Sequence, residues 1–182
     1  MPRRRIRFEE PPPRTNGQIV ERLVDELKSD RVSGQPSIEE EEFPTGRLRV
    51  NVIWDAWDRL PHENRTAAIL QAYERAEGRD YRNRIALASG LTVPEAHAAG
   101  FLPYQVITAI RKGDPVTEDE CRRALVEEGA STLLDEDHPQ LRFATEEEAE
   151  DAKKRLAERL RGSDPVWIVI KEVVPVEDWS ER

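Results

Sequence analysis

The segment Trp54-Asp55-Ala56-Trp57-Asp58 sets two carboxylates three positions apart between two indoles. Paired carboxylates at a strand end can bind Mg²⁺ through hard oxygen ligands, or act as general acid and base. Asp55 and Asp58 therefore define one reading of the chain, a metal-dependent hydrolase, although nothing nearby supplies a third or fourth ligand. The three histidines, His62, His97 and His138, lie far apart, and no two show a metal-ligand spacing such as H-x-x-x-H. They read as surface histidines. Cys121 opens a helix in the run TEDEC, where neighbouring carboxylates oppose thiolate formation, so it reads as a small buried apolar residue and not a nucleophile. The phosphate-cradling patterns G-x-x-x-x-G-K-[ST] and G-x-G-x-x-G are missing, as is the nucleophile elbow G-x-S-x-G.

The same corner has a second reading. Trp54 continues an inward-facing set, Trp57 covers the rim of the core, and an Asp caps the turn. Tryptophan and arginine also anchor protein interfaces. Trp57, Asp58 and Arg65, with Glu39 and Glu41 from the acidic run Glu39–Glu42, form the candidate partner-binding surface.

Charge narrows the partners. The 182 residues carry a net charge of −9, yet residues 1–14 hold Arg3, Arg4, Arg5, Arg7 and Arg14 against Glu9 and Glu10, which leaves −12 on the remainder. An acidic body repels a phosphate backbone, so nucleic acid is expected to bind only through Arg3, Arg4, Arg5 and Arg7. Charged residues make up 36% of the chain, and its mean hydropathy is −0.73. No apolar run approaches the ~18–20 residues of a membrane span, and MPRRRIRF lacks a following apolar stretch. The single cysteine fits a reducing compartment. A cytoplasmic protein is expected, with no membrane contact and no cofactor.

Several elements must position these residues. Pro11-Pro12-Pro13 separates a flexible basic arm, 1–14, from the body. Ile19, Val20, Leu23, Val24 and Leu27 recur at helical spacing and predict a helix over about 18–30. SIEEEEF, the turn Pro44-Thr45-Gly46 and RLRVNVIW predict a hairpin whose acidic strand lies at a sheet edge, opposite arginines. A helix begins at Leu60-Pro61 and ends at Gly78. Residues 81–116 read as an irregular helical connection broken at Gly90, Pro94, Gly100 and Pro103. Thr117 with Glu120 and Thr145 with Glu148 match the capping box, predicting helices near 118–128 and 146–160. STLL and QLRFA read as a short hairpin, and the apolar run Val166–Val174 as a central strand covered on both faces.

RVNVIWDAW, leading through Asp58-Arg59-Leu60 into a helix opening Glu63-Asn64-Arg65, resembles the BolA-like proteins over residues 18–78. The resemblance implies a class II KH-like topology. In that family a histidine near the helix start helps to hold an iron–sulfur cluster shared with a monothiol glutaredoxin. Here Thr66 stands at that position, His62 lies four residues earlier, and Trp57-Asp58-Arg59-Leu60 replaces the glycine-containing turn. The Gly-x-x-Gly loop of KH domains is also missing.

The resulting expectation is an α+β protein with antiparallel hairpins packed by helices on one face. An α-β-β-α unit over 15–80 would be echoed by an α-β-β-α-β unit over 117–175, with a tail at 176–182. The function expected is that of a non-catalytic accessory protein, a subunit or adaptor with a protein partner. A KH-like nucleic-acid binder and the Asp55/Asp58 hydrolase are the alternatives.

Overall fold

The computed structural model describes residues 16–29, 34–110, 115–161 and 165–172. The arm at 1–14 and the tail at 176–182 lie outside them. Helices and sheets are mixed in an α+β fold of two compact units, Met1–Val93 with Glu127–Gly129, and Pro94–Val126 with Ala130–Arg182.

The first unit begins with α1 (Asn16–Lys28), whose apolar stripe Ile19, Val20, Leu23, Val24 and Leu27 is buried. The hairpin of β1 (Ser37–Glu42) and β2 (Leu48–Ile53) follows, its ladder setting Glu41 directly across from Arg49. Gly46 takes φ +75 in the turn, a left-handed value that glycine adopts without a Cβ clash. Val50 and Val52 alternate into the core as the period of two requires, and Trp54 continues them. α2 (His62–Glu77) ends at Gly78, which also starts the short α3 (Arg79–Arg84). The chain then returns as β3 (Ile85–Leu91), parallel to β2, giving the order β1-β2-β3. A parallel neighbour needs a long crossover, and α2 with α3 provides it. α1 packs on α2, and both close over Val50, Val52 and Trp54.

β3 corrects the expected helical connection over 81–116. ALASG has weak strand propensity by itself, but strand formation depends on neighbours more than on intrinsic preference. After α4 (Val93–Ala98), the other part of that segment, Tyr104–Ala109, is also a strand, β4.

In the second unit β4 is the central strand of the order β5-β4-β6, with antiparallel neighbours β5 (Leu141–Phe143) and β6 (Val166–Lys171). α5 (Glu118–Glu127) and α6 (Glu146–Arg159) cover one face, burying Val106, Leu125, Phe143, Leu156 and Trp167. Both capping boxes form: the hydroxyls of Thr117 and Thr145 accept from the N–H groups of Glu120 and Glu148, whose carboxylates accept in return.

Two expectations fail here. β6 is an edge strand and not a central one, with Ile168 39% exposed. Its continuous apolar run reflects a core face and a second, half-covered face. STLL makes only a single bridge, Ser131 to Gln140, while β5 pairs with β4 instead. The two compact units are wired differently, one as α-β-β-α-α-β and the other with β4, β5 and β6 separated by helices.

Candidate functional site

The Trp54–Asp58 corner is built from backbone outward. Trp54 N–H donates to Leu91 O at 2.8 Å, tying the end of β2 to the end of β3. A single 3₁₀ turn over Asp55–Trp57 then reverses the chain, and Arg59 sits at φ +63, a value uncommon outside glycine. The turn drives the Trp57 indole inward: it is 0% exposed, and its Nε1–H donates to Val52 O at 2.9 Å. The Trp54 and Trp57 rings meet edge to face, with centroids 5.5 Å apart. Such pairs add roughly 0.5–1.5 kcal/mol beyond burial.

Arg65 is the second inward-turned residue. Its side chain donates from Nε to Leu60 O at 2.8 Å and from Nη1 to Gly90 O at 3.1 Å, and the residue is only 5% exposed. One position along, the Thr66 hydroxyl donates to Ala88 O at 3.1 Å. α2 thus fastens β3 through side chains to backbone. The expectation that Trp57 and Arg65 face a partner is corrected, because both are enclosed by the fold they hold together.

Asp55 has a similar inward commitment. Its Oδ1 accepts from Val93 N–H at 3.2 Å and its Oδ2 from Gln35 Nε2 at 3.1 Å, while Asp55 N–H donates to Gln35 Oε1 at 2.6 Å. Asp58 is exposed and pairs with Arg59 at 3.2 Å. The corner therefore gives its two carboxylates different tasks, one bracing a turn and one facing water. Among the described residues no group of three or more His, Cys, Asp or Glu is placed to hold a metal.

The acidic run is engaged within its own unit. Glu40 accepts from the hydroxyls of Tyr73 (2.6 Å) and Tyr81 (2.9 Å), whose rings stack at 6.0 Å. Burial, reinforced by Glu40, pushes the Tyr73 phenol up strongly and that of Tyr81 up to about 12. Glu41 pairs with Arg49 at 3.0 Å and Glu42 with Arg84 at 2.8 Å. Glu39 also has a partner within the chain. An edge strand of glutamates answered by neighbouring arginines and tyrosines is stable without an outside cation.

His62 is exposed at the start of α2. His97 lies 3.1 Å from Glu172, which also pairs with the nearly enclosed Arg142 at 2.8 Å. Burial and the Arg142 charge lower the His97 pKa, and Glu172 opposes them. His138 hydrogen-bonds Asp135 at 2.8 Å in an exposed loop, which raises its pKa. Cys121 is buried, and that burial raises its thiol. Arg3, Arg4, Arg5 and Arg7 lie outside the described residues.

A different surface stands out, with two leucines in STLL, expected as a hairpin strand, and Val126 in the helix expected near 118–128. Val126 at the end of α5 is 45% exposed, and Leu133 and Leu134 in the following loop are 40% and 65% exposed. They are three of the six large exposed apolar residues described. The available signal was the pairing of two leucines with the immediately following Asp-Glu-Asp, a composition suited to a loop and not to a strand.

Compared with protein-family models, curated proteins and solved structures, the chain matches none. Among the described residues no helix is long and apolar enough to cross a membrane.

Proposed function

We propose that this chain is a non-catalytic interaction protein, a subunit or adaptor of a larger cytoplasmic assembly. The observation that carries this reading is the exposure of the adjacent Leu133 and Leu134, in a loop that Arg122–Asp137 sets beside the helix carrying the exposed Val126, in an otherwise strongly charged chain. Scattered apolar residues are ordinary on a surface, whereas a cluster rimmed by charge is characteristic of a docking surface. Asp58 remains as an exposed contact of the original corner, and the basic arm as a second point of attachment.

The test is affinity purification of the full chain from its source cells, beside a Leu133→Ser, Leu134→Ser double variant. A stoichiometric partner should accompany the unaltered chain and be lost from the variant, while circular dichroism and melting temperature stay the same. Failure to retain any leucine-dependent partner would overturn the reading. A thermal shift induced by Mg²⁺ or Mn²⁺ and abolished by Asp55→Asn would restore the hydrolase in its place.

A further inference from the structure

The apolar cluster is held out by construction. α5 closes with Ala130 N–H donating to Leu125 O, and the loop root is clamped by the reciprocal Ser131–Gln140 backbone bonds of 2.9 and 2.8 Å. Leu133 N–H donates to Ser131 Oγ at 3.3 Å. On the far side of the leucines, Asp135 Oδ1 accepts from the N–H groups of Asp137 and His138, at 2.9 and 3.1 Å. Arg122 then lies 3.7 Å from Asp137, placing the descending limb against α5. Arg122 and Val126 are one helical turn apart and share a face. The two leucines therefore project from a loop tied down on both sides, next to the helix face that carries Val126.

The charge around this cluster is one-sided. Within this unit, residues 118–138 carry six carboxylates, Glu118, Asp119, Glu120, Asp135, Glu136 and Asp137, all at least partly exposed, against Arg122 and Arg123. Arg122 is engaged by Asp119 and Asp137, and Arg123 donates to the carbonyl of Asp119. An apolar surface with this rim selects its occupant by potential. A phosphate backbone or an anionic lipid surface meets repulsion. A second copy in a two-fold dimer would set the acidic rim against itself, because such an interface pairs the same patch with the same patch.

We propose that Val126, Leu133 and Leu134 receive an apolar segment of a partner protein that is flanked by lysine or arginine. This rests on the interaction-protein reading above and adds the chemistry of the partner. The leucines and Val126 bury the partner's apolar side chains. Glu136 and Asp137, with the carboxylates of α5, meet its cations and speed its encounter.

The test uses the full chain and three fluorescein-labelled synthetic peptides: one combining leucine and lysine at helical spacing, one with glutamate replacing lysine, and one with serine replacing leucine. Anisotropy should show binding of the leucine–lysine peptide alone. Affinity should fall about tenfold or more in the Leu133→Ser, Leu134→Ser variant, as for loss of central apolar contacts. It should also fall with added salt and in Glu136→Lys, Asp137→Lys. Absence of binding, equal binding of the glutamate peptide, or binding indifferent to the leucine pair overturns the proposal. Concentration-dependent dimerisation lost in Leu134→Ser, measured by sedimentation, overturns it in favour of a second copy. A partner from source cells that needs both leucines, beside peptides that show no preference for lysine, would defeat this proposal and leave the interaction reading standing. Loss of that cellular partner result would defeat the reading itself.

Discussion

The Cβ that Gly90 lacks would stand 2.8 Å from the Cβ of Arg65. It would also meet the Trp57 ring at 3.1–3.2 Å. Glycine lets β3 come this close, and the closeness is what allows Arg65 to reach Gly90 O. Gly90→Ala is therefore expected to lower stability by about 1–3 kcal/mol, the usual cost of overpacking a full core. Urea unfolding should show a lower midpoint with an unchanged slope. A neutral result would mean that β3 can move away at no cost.

This node also shows where sequence reading stops. Val50 and Val52 were legible because alternation is local, and the two capping boxes because four residues contain the whole motif. Gly90 looked like a helix breaker. Its meaning lies in Arg65 and Trp57, which are distant in sequence and give no sign there of approaching it. Trp57 illustrates the same limit: tryptophan is suited to both interface and core, and the 3₁₀ turn that rotates it inward is set by contacts at β3. β6 misled for another reason, since a continuous apolar run is the same for a central strand and for an edge strand with a half-covered outer face.

Two buried indoles differ in what they donate to, which separates their substitutions. Trp57 Nε1–H bonds Val52 O, whereas the buried Trp167 Nε1 has no partner among the described residues. Trp57→Phe loses a hydrogen bond along with ring volume, about 1–3 kcal/mol together. Trp167→Phe also loses volume but removes an unsatisfied donor, whose burial itself costs about 1–3 kcal/mol. Chemical denaturation should therefore find Trp57→Phe clearly the more damaging. Equal losses would show that the indole bond to Val52 contributes nothing.

Asp55 should act on stability and leave no other trace. Asp55→Ala strands Val93 N–H and takes one of two acceptors from Gln35 Nε2, which keeps the Gly129 carbonyl, and losing a charged acceptor of this kind costs about 1.5–3 kcal/mol. Asp55→Asn keeps one acceptor oxygen for Val93 and should cost less. Melting temperatures of the two variants test the order. If Asn proves as harmful as Ala, the negative charge and not the bond to Val93 is what the corner needs.

The histidines should titrate in a defined order. His97 is held below its ordinary 6.5 by burial and by Arg142, against the pull of Glu172, while Asp135 raises His138 above it. Following the imidazole proton resonances against pH should place the His97 midpoint below that of His138. Their effects on stability have opposite signs. With His97 depressed, the unfolded chain binds the proton more readily, so its contribution is present above 6.5 and is lost as pH falls through the folded value. With His138 raised, its contribution is complete below 6.5 and is lost as pH rises through the folded value. Removing one histidine should leave the slope of the other: His138→Asn should remove a fall in stability as pH rises above 6.5, and His97→Asn should remove a fall in stability as pH drops below 6.5. Slopes that shift in the same direction in both variants would contradict the burial of His97 beside Arg142.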